Sequence, residues 1–334
     1  MLKSIIGIIR KLPQLHSIAG ELHSAAKELN KETRIHYLTL LLDMGLLRLR
    51  HICPNEYKDY RFYDKSRAAR NRFLTEYCRG KMDVAFNQKY GHECRAAMSN
   101  KQIFNKLFSD FLGRQWLYTP DASDQQIEEF LSTHKQIIVK PSAAGRGIGV
   151  RKILYSEVSD IKVFCEEARN NCLLLEEIVV QHPDLSSINP SSVNTLRINT
   201  VVDRTGVPHI LRPALRMGVG ESITDNFSGN GIVAGIDLDT GILSTPAIGA
   251  DLRTYIKHPT SGVVILGFQI PHWEAAKDMV HRAANLTPQT RWVGWDIAIT
   301  SKGPLVIEGN IDTGSRTMQM TTQTGVYHIM RSYL

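Results

Sequence analysis

The chain reads as an α/β protein of two α+β lobes preceded by a helical, basic N-terminal region. Three observations predict this. Apolar residues recur at helical spacing through about the first hundred residues, short β-branched runs separated by single helices fill the rest, and positive charge gathers on the N-terminal side. Residues 1–120 carry 21 Lys/Arg against 11 Asp/Glu, whereas residues 121–334 carry 19 against 22. A chain of 334 residues is long enough for two or three compact units, and the change of character predicts boundaries at 1–99, 100–180 and 181–334.

Within residues 1–28 the apolar positions Ile5, Ile6, Ile9, Leu15, Ile18 and Leu22, interrupted by Pro13, predict one or two amphipathic helices. From Lys31 to Ile52 the pattern stays helical, with Leu38, Leu41, Leu42, Met44, Leu46 and Leu47 on a broad apolar face that Pro54 ends. Residues 55–81 interleave Tyr57, Tyr60, Phe62, Tyr63 and Tyr77 with five arginines. Such a mixture can stack on single-stranded nucleic acid, but no recognition motif accompanies it, and helices with arginine-rich outer faces look the same. No nucleic-acid partner is expected. Asn100–Leu117 predicts a further helix, and TPDAS (119–123) a linker.

The strand–turn–strand stretch QIIVKPSAAGRGIGVRKIL (136–154) organises the remainder of the chain. Ile137, Ile138 and Val139 form a strand, Gly145, Gly147 and Gly149 a side-chain-poor tip, and Val150–Leu154 a returning strand. Backbone N–H groups at such a tip can cradle an anion, with Lys140 supplying fixed charge beside it. A P-loop and a dinucleotide fingerprint both need a helix after their glycines, and a strand stands here instead. The plain alternative is a glycine-rich hairpin with no ligand. A helix around Glu157–Asn170, a strand at 172–180 and an extended run at 193–203 come next, the last setting Thr195, Arg197 and Asn199 on one face. A strand over His209–Met217, a hairpin turning at Asp239, Thr240 and Gly241, a helix at 272–286 and two strands at 291–300 and 304–311 complete the order.

In the first of these last strands Val293, Trp295, Ile297 and Ile299 form the apolar face, so Asp296 points away with Gly294 and Ala298. In the second, period-two spacing groups Val306, Glu308 and Asn310. If the strands pair through their short SKG connection, Asp296, Glu308 and Asn310 converge as oxygen ligands suited to Mg²⁺ or Mn²⁺. An exposed outer face is the alternative for a strand carboxylate, but Glu308 is flanked by apolar residues where an unpaired charge is costly. The histidines show no ligand spacing, which argues against zinc.

Composition sets the remaining bounds. Hydrophobic residues are 43% and charged residues 22%, so a disordered chain is excluded. The five cysteines match neither a CxxC metal pair nor an even disulfide framework, which predicts a reducing compartment and a cytoplasmic protein. Arg10 and Lys11 interrupt the N-terminal apolar run before it reaches membrane-span length, leaving peripheral contact of the basic region with an anionic inner membrane face as the remaining membrane option.

Taken in order, IIVKP with its glycine-rich hairpin, LLLEEIVV, NTLRINTVV, DNFSGNG, GWDIAIT and LVIEGNI resemble the ATP-grasp superfamily over about residues 100–334. The chain is similar more specifically to the sugar-transfer-associated ATP-grasp family, including PNEYKDYRFY, SSVNTLRINTVVD and VGWDIAITSKGPLVIEGN. The resemblance implies that two α+β lobes clamp ATP. It implies contact of Lys140 with the α/β phosphates, with Lys101 as second lysine and Lys106 as the fallback. Glu176, Glu177 and Val179 match the hinge that meets adenine, Gln181 or Asp184 the ribose contact, and Arg197 the transferred phosphoryl group, with Arg216 and Arg291 as weaker candidates. Two departures stand out: residues 1–95 read as helical where ATP-grasp ligases usually carry a Rossmann-like domain, and Asn230 replaces a second glycine in SGNGI, which asparagine's tolerance of left-handed backbone accommodates.

The activity this implies is an ATP- and Mg-dependent carboxylate–amine (or carboxylate–thiol) ligase working through an acyl phosphate. Its substrates would be a small-molecule carboxylate and an amine, drawn from sugar acids, amino sugars or amino acids of surface polysaccharide biosynthesis. A phosphotransferase using the same ATP site, and a non-catalytic ATP- or membrane-binding partner of glycosyltransferases, are the competing readings.

Overall fold

In the computed structural model the described residues are 2–87, 92–143 and 148–334, with side chains described from His16 onward except at 92–94 and 228. The predicted tip residues Gly145 and Gly147 lie outside this set. The chain divides into two units, Met1–Lys81 with Gly314–Ser332, and Met82–Thr313 with Tyr333–Leu334. Residues 82–99, grouped by sequence with the N-terminal region, thus fall in the second unit. Met98 there joins the core beneath the larger sheet.

In the first unit, α1 (Leu2–Thr33) runs as a single helix past Pro13, followed by α2 (Tyr37–Arg48), α3 (Pro54–Asp59) and α4 (Arg67–Arg70). Pro54, expected only to end a helix, also opens the next one, as suits its fixed φ and missing N–H at the first helical position. Tyr77 is exposed, but most of the aromatics face inward, since Tyr57, Tyr60, Phe62 and Phe73 are buried and pack edge to face or tilted. Those rings form a core.

The second unit begins within α5 (Glu76–Asn87) and continues through α6 (His92–Ser99), α7 (Lys101–Leu107) and α8 (Ser109–Leu112). The helix expected to reach Leu117 stops at Gly113 (φ 54), a left-handed C-cap, so that Trp116–Tyr118 forms β1. After α9 (Asp124–His134), the hairpin β2 (Gln136–Pro141) and β3 (Arg151–Leu154) pairs as predicted. Then come α10 (Ile161–Asn170) and β4 (Leu173–Glu177). These strands form an antiparallel sheet in the order β1-β4-β2-β3. Ile127, Leu131, Ile137, Val139, Phe164 and Leu175 make its core on one face.

The larger sheet comes after α11 (Pro183–Ile188) and contains β5 (Leu196–Val202), β6 (Pro208–Met217), β7 (Ile232–Gly235), β8 (Ala247–Gly249) and β9 (Thr254–Tyr255). After α12 (Trp273–Leu286), β10 (Trp292–Thr300) and β11 (Gly303–Asn310) complete it. Its order is β11-β10-β5-β6-β7-β8-β9, with every neighbouring pair antiparallel. Ala276, Val280 and Ala283 of α12 pack with Ile198, Val293, Trp295 and Ile297. One face of β10 is therefore used for packing, which leaves Gly294 and Asp296 for the other. Helices α13 (Arg316–Met320) and α14 (Tyr327–Ser332) return to the first unit. Among the described residues no helix is long and apolar enough to cross a membrane.

Candidate active site

The small sheet contributes a buried ion pair. Leu174, Glu176 and Lys140 lie on the face opposite Val139 and Leu175, because β2 and β4 pair Lys140 with Leu174 and Val139 with Leu175. Lys140 Nζ stands 2.8 Å from Glu176 Oε2. Arg114, in the turn between α8 and β1, donates to both Glu176 oxygens at 3.2 and 3.3 Å, and Asn105 Nδ2 of α7 donates to Oε1 at 3.1 Å. Burial alone would raise the Glu176 pKa, but Arg114 and Lys140 outweigh it and bring it down to about 2.

Arg114 also reaches the large sheet. Its Nη1 donates to Val306 O at 2.7 Å and Nη2 to Ile307 O at 3.2 Å. These carbonyls belong to an irregular stretch of β11. Ile297 pairs with Val306 and Asp296 with Glu308, so Ile307 is an extra residue and the register shifts there. This corrects the period-two grouping of Val306 with Glu308 and Asn310: Val306 is buried in the core with Ile297. The bulge turns Glu308 onto the Asp296 face, which strict alternation from Val306 would also have claimed for Val306 itself. Gly309 must stay small on the other side, since a Cβ there would come within 3.0 Å of Phe104 and Trp295.

Asp296 is the hub of the large-sheet cluster. Arg197, its pairing partner on β5, donates from Nε to Oδ1 at 2.6 Å and from Nη2 to Oδ2 at 3.0 Å. Arg216 of β6 reaches both oxygens at 3.1 Å through Nη1 and Asp225 Oδ1 at 2.7 Å through Nη2. Arg197 Nη1 donates to Thr313 Oγ1 at 3.2 Å, which in turn donates to Asn199 Oδ1 at 3.3 Å. A side chain at Gly294 would collide with Thr313 Oγ1. Thr195, Arg197 and Asn199 thus do lie toward one network, Thr195 through its hydroxyl and its N–H to Asp225.

Burial, then Asp296, raise the pKa of the Glu308 carboxyl, which sits opposite Asp296 across the strand pair. Asp296 goes the other way: burial opposes its ionisation, but Arg197 and Arg216 hold its pKa down. Asn310 Nδ2 lies 3.2 Å from Glu308 Oε1 and 3.5 Å from Asp296 Oδ2. Glu308 and Asn310 line a cavity of about 190 Å³ with Lys101, Asn105 and Ala143. Burial lowers the pKa of Lys101, Glu308 raises it and Lys140 lowers it, so the ammonium feels both sheets.

Among the described residues no three His, Cys, Asp or Glu side chains converge. A cation here would therefore take two carboxylates and an amide oxygen, with the Asn310 amide turned to present Oδ1. An all-oxygen set containing a carboxyl whose ionisation is opposed by burial and by a neighbouring carboxylate fits a hard divalent ion.

The remaining sequence candidates scatter. Lys106 is exposed and lies 3.6 Å from Asp121, outside the cluster. The Arg291 guanidinium instead donates to Val202 O and Tyr333 O, each at 2.7 Å. Glu177 accepts from Gln115 N at 3.0 Å, and Val179 lies half-buried in the segment joining β4 to α11. Gln181 is an internal strut, donating to Asn189 O and Ser192 O at 2.8 Å, while Asp184 is exposed beside His182. Gly149 takes φ 74 and Asn230 φ 71, the left-handed backbone expected of that loop. Sequence reasoning passed over Arg114, Asn105, Asp225 and Thr313. Asp225 opens the DNFSGNG segment and Thr313 comes directly after EGNID, so both had a local signal; Arg114 had none.

A hairpin-tipped sheet carrying a buried lysine, joined through one chain to an antiparallel sheet carrying paired carboxylates, is the ATP-grasp architecture. The sugar-transfer-associated ATP-grasp model matches residues 82–333, and the chain belongs to that family. The match starts where the second unit starts and leaves out residues 1–81, PNEYKDYRFY among them.

Solved structures show partial likeness. The ATP-grasp ligase PsnB, complexed with a phosphomimetic variant of its minimal precursor, Mg and ADP, is 14% identical at a TM-score of 0.46, covering 73% of this chain and 61% of that one. D-alanyl-alanine synthetase A from Vibrio cholerae O1 biovar eltor is 15% identical at a TM-score of 0.44, covering 70% and 61%. Biotin carboxylase from Campylobacter jejuni is 11% identical at a TM-score of 0.47, covering 72% and 47%. The chain thus spans less than two thirds of the length of each. No curated protein matches the sequence.

Proposed function

We propose that the protein is an ATP- and Mg²⁺-dependent ligase joining a carboxylate to an amine through an acyl phosphate. The observation that carries this reading is the pairing of Asp296 with Glu308 across β10 and β11, with Glu308 lining a cavity beside Lys101. Asp296, Glu308 and Asn310 would hold Mg²⁺ (or Mn²⁺), which would supply charge neutralisation at the phosphate oxygens. Lys140 and Lys101 bind phosphate oxygens, and the hairpin tip with Gly145, Gly147 and Gly149 offers backbone N–H groups to them. Glu177 and Val179 border the base and Asp184 the ribose.

Glu176, with both oxygens engaged by protein donors, positions Lys140. Arg197 and Arg216 hold Asp296 ionised, and Arg197 would neutralise charge on the transferred phosphoryl group. The substrate carboxylate attacks the γ-phosphorus, the bond to the β-phosphate oxygen breaks, and ADP leaves. An amine then attacks the acyl carbon, loses a proton and expels inorganic phosphate. Positioning and charge neutralisation suffice, with no covalent nucleophile from the protein. The family's association with sugar transfer favours a sugar acid, amino sugar or amino acid of surface polysaccharide synthesis.

The test is ATP consumption with Mg²⁺ against pooled uronic acids, amino sugars and amino acids, scoring ADP, inorganic phosphate and product mass together. ADP with phosphate and a product equal to two substrates less one water is the expected result. ADP without phosphate, and a substrate heavier by one phosphoryl group, makes the protein a phosphotransferase. ATP bound but untouched, with function surviving Asp296→Asn, makes it a non-catalytic partner.

A further inference from the structure

Helix α2 is apolar on two sides. Leu40, Met44 and Leu47 are buried within the first unit, but Leu38, Leu42 and Leu46, one helical turn apart, and Leu49 beyond them are 55%, 68%, 65% and 80% exposed. A single exposed leucine needs no explanation, whereas four in one row form a patch that marks an interaction surface. Gly45 lies among them with nothing within 4 Å of where its Cβ would be, so the row is open along its length.

The rim of the row is basic. In the sequence around it Lys31, Arg34 and Arg50 are exposed and Arg48 is half-exposed. Of the nearby acids, Asp43 is already clamped by Arg70 at 2.7 and 2.8 Å and by the Tyr57 hydroxyl at 2.7 Å, which leaves Glu32 as the exposed one on this stretch. The unit as a whole carries 18 Lys/Arg against 8 Asp/Glu, a net charge of +10, while the unit bearing the candidate active site is at −3.

We propose that this face of α2 docks the protein on an anionic bilayer, with the leucine row inserted among the acyl chains and the basic rim against the headgroups. Apolar insertion and attraction of Lys/Arg to an anionic leaflet reinforce one another in such a helix. A second copy of this chain fits the face less well, because two units of net charge +10 repel. The helix lies along the surface, since no described helix is fit to cross it. This inference does not depend on the ligase reading and can fail separately from it.

The full chain is sedimented with vesicles of phosphatidylcholine alone and of phosphatidylcholine mixed with phosphatidylglycerol. Wild type is expected to pellet with the mixed vesicles and to be released by high salt. Leu42→Asp with Leu46→Asp should weaken partition at least about tenfold, given the free energy of burying leucine. Arg34→Glu with Arg50→Glu, which leaves the leucines in place, should abolish the preference for anionic lipid, so the outcome does not hang on one variant's folding. Wild type that stays in solution, or leucine variants that pellet undiminished, would overturn the proposal. So would a concentration-dependent dimer lost in the leucine variant, which assigns the face to a second copy.

Discussion

Glu176 and Glu308 are the same residue type, both set in strands and both pressed against a neighbouring sheet, yet their surroundings push them in opposite directions. Around Glu176 the cations outnumber the acids, Lys140 and Arg114 against one carboxylate, and its pKa falls to about 2. Around Glu308 the largest charge effect after burial comes from another carboxylate, Asp296, its partner across the strand pair, and its pKa rises. Burial opposes ionisation at both sites, so burial does not distinguish them; the charge of the immediate partner does. A carboxylate surrounded by protein cations is a structural anchor. A carboxyl whose ionisation is opposed beside a cavity, with an ionised neighbour, is a place where a cation can be gained.

The largest expected effect tests the first half of that contrast. Glu176→Gln leaves Arg114 and Lys140 buried without their counter-charge and should cost about 3–5 kcal/mol, read from the urea midpoint at constant m-value. The pH dependence should show the same group. Its folded pKa lies below the unfolded value, so its contribution is fully present above about 4.5 and is lost as pH falls toward about 2. The loss is on the order of 3 kcal/mol for such a shift, and the Glu176→Gln protein should have a correspondingly flatter acid limb.

Arg114→Lys keeps the charge but gives up the fork that spans Glu176 and the Val306 and Ile307 carbonyls. A loss of about 2 kcal/mol is expected, at about 1 kcal/mol per hydrogen bond. If the guanidinium matters to the bulge, Mg²⁺-induced thermal stabilisation should weaken as well; an unchanged Mg²⁺ response would confine Arg114 to the small sheet.

The smallest effect carries the opposite sign. Glu308 has a raised folded pKa, so without a cation its favourable contribution is present at low pH and disappears as pH rises through that value. Glu308→Gln should therefore stabilise the metal-free protein at neutral pH by ~1 kcal/mol, the size of one hydrogen-bond exchange, while abolishing the gain in Tm on adding Mg²⁺. In wild type that gain should grow with pH, because the cation displaces a proton. A destabilising Glu308→Gln with the Mg²⁺ response intact would remove the contrast between the two glutamates.

Much of this arrangement is written in local pattern. Period-two alternation in LRINT and VGWDI sets Arg197 and Asp296 away from the apolar core, because a half-buried strand can hide only one of its faces. The order of strands and single helices likewise announced an α/β fold, and Asn230 could be read as left-handed from its side chain and its glycine neighbours. Three things needed the folded chain. The bulge at Ile307 comes from pairing with β10, and alternation along β11 alone misplaces Val306. Arg114 meets Glu176 and Val306 across 62 and 192 residues, distances over which no periodicity operates. The opposite states of Glu176 and Glu308 depend on which charges the fold delivers to each, and a sequence names the ionisable groups without saying which of them become neighbours.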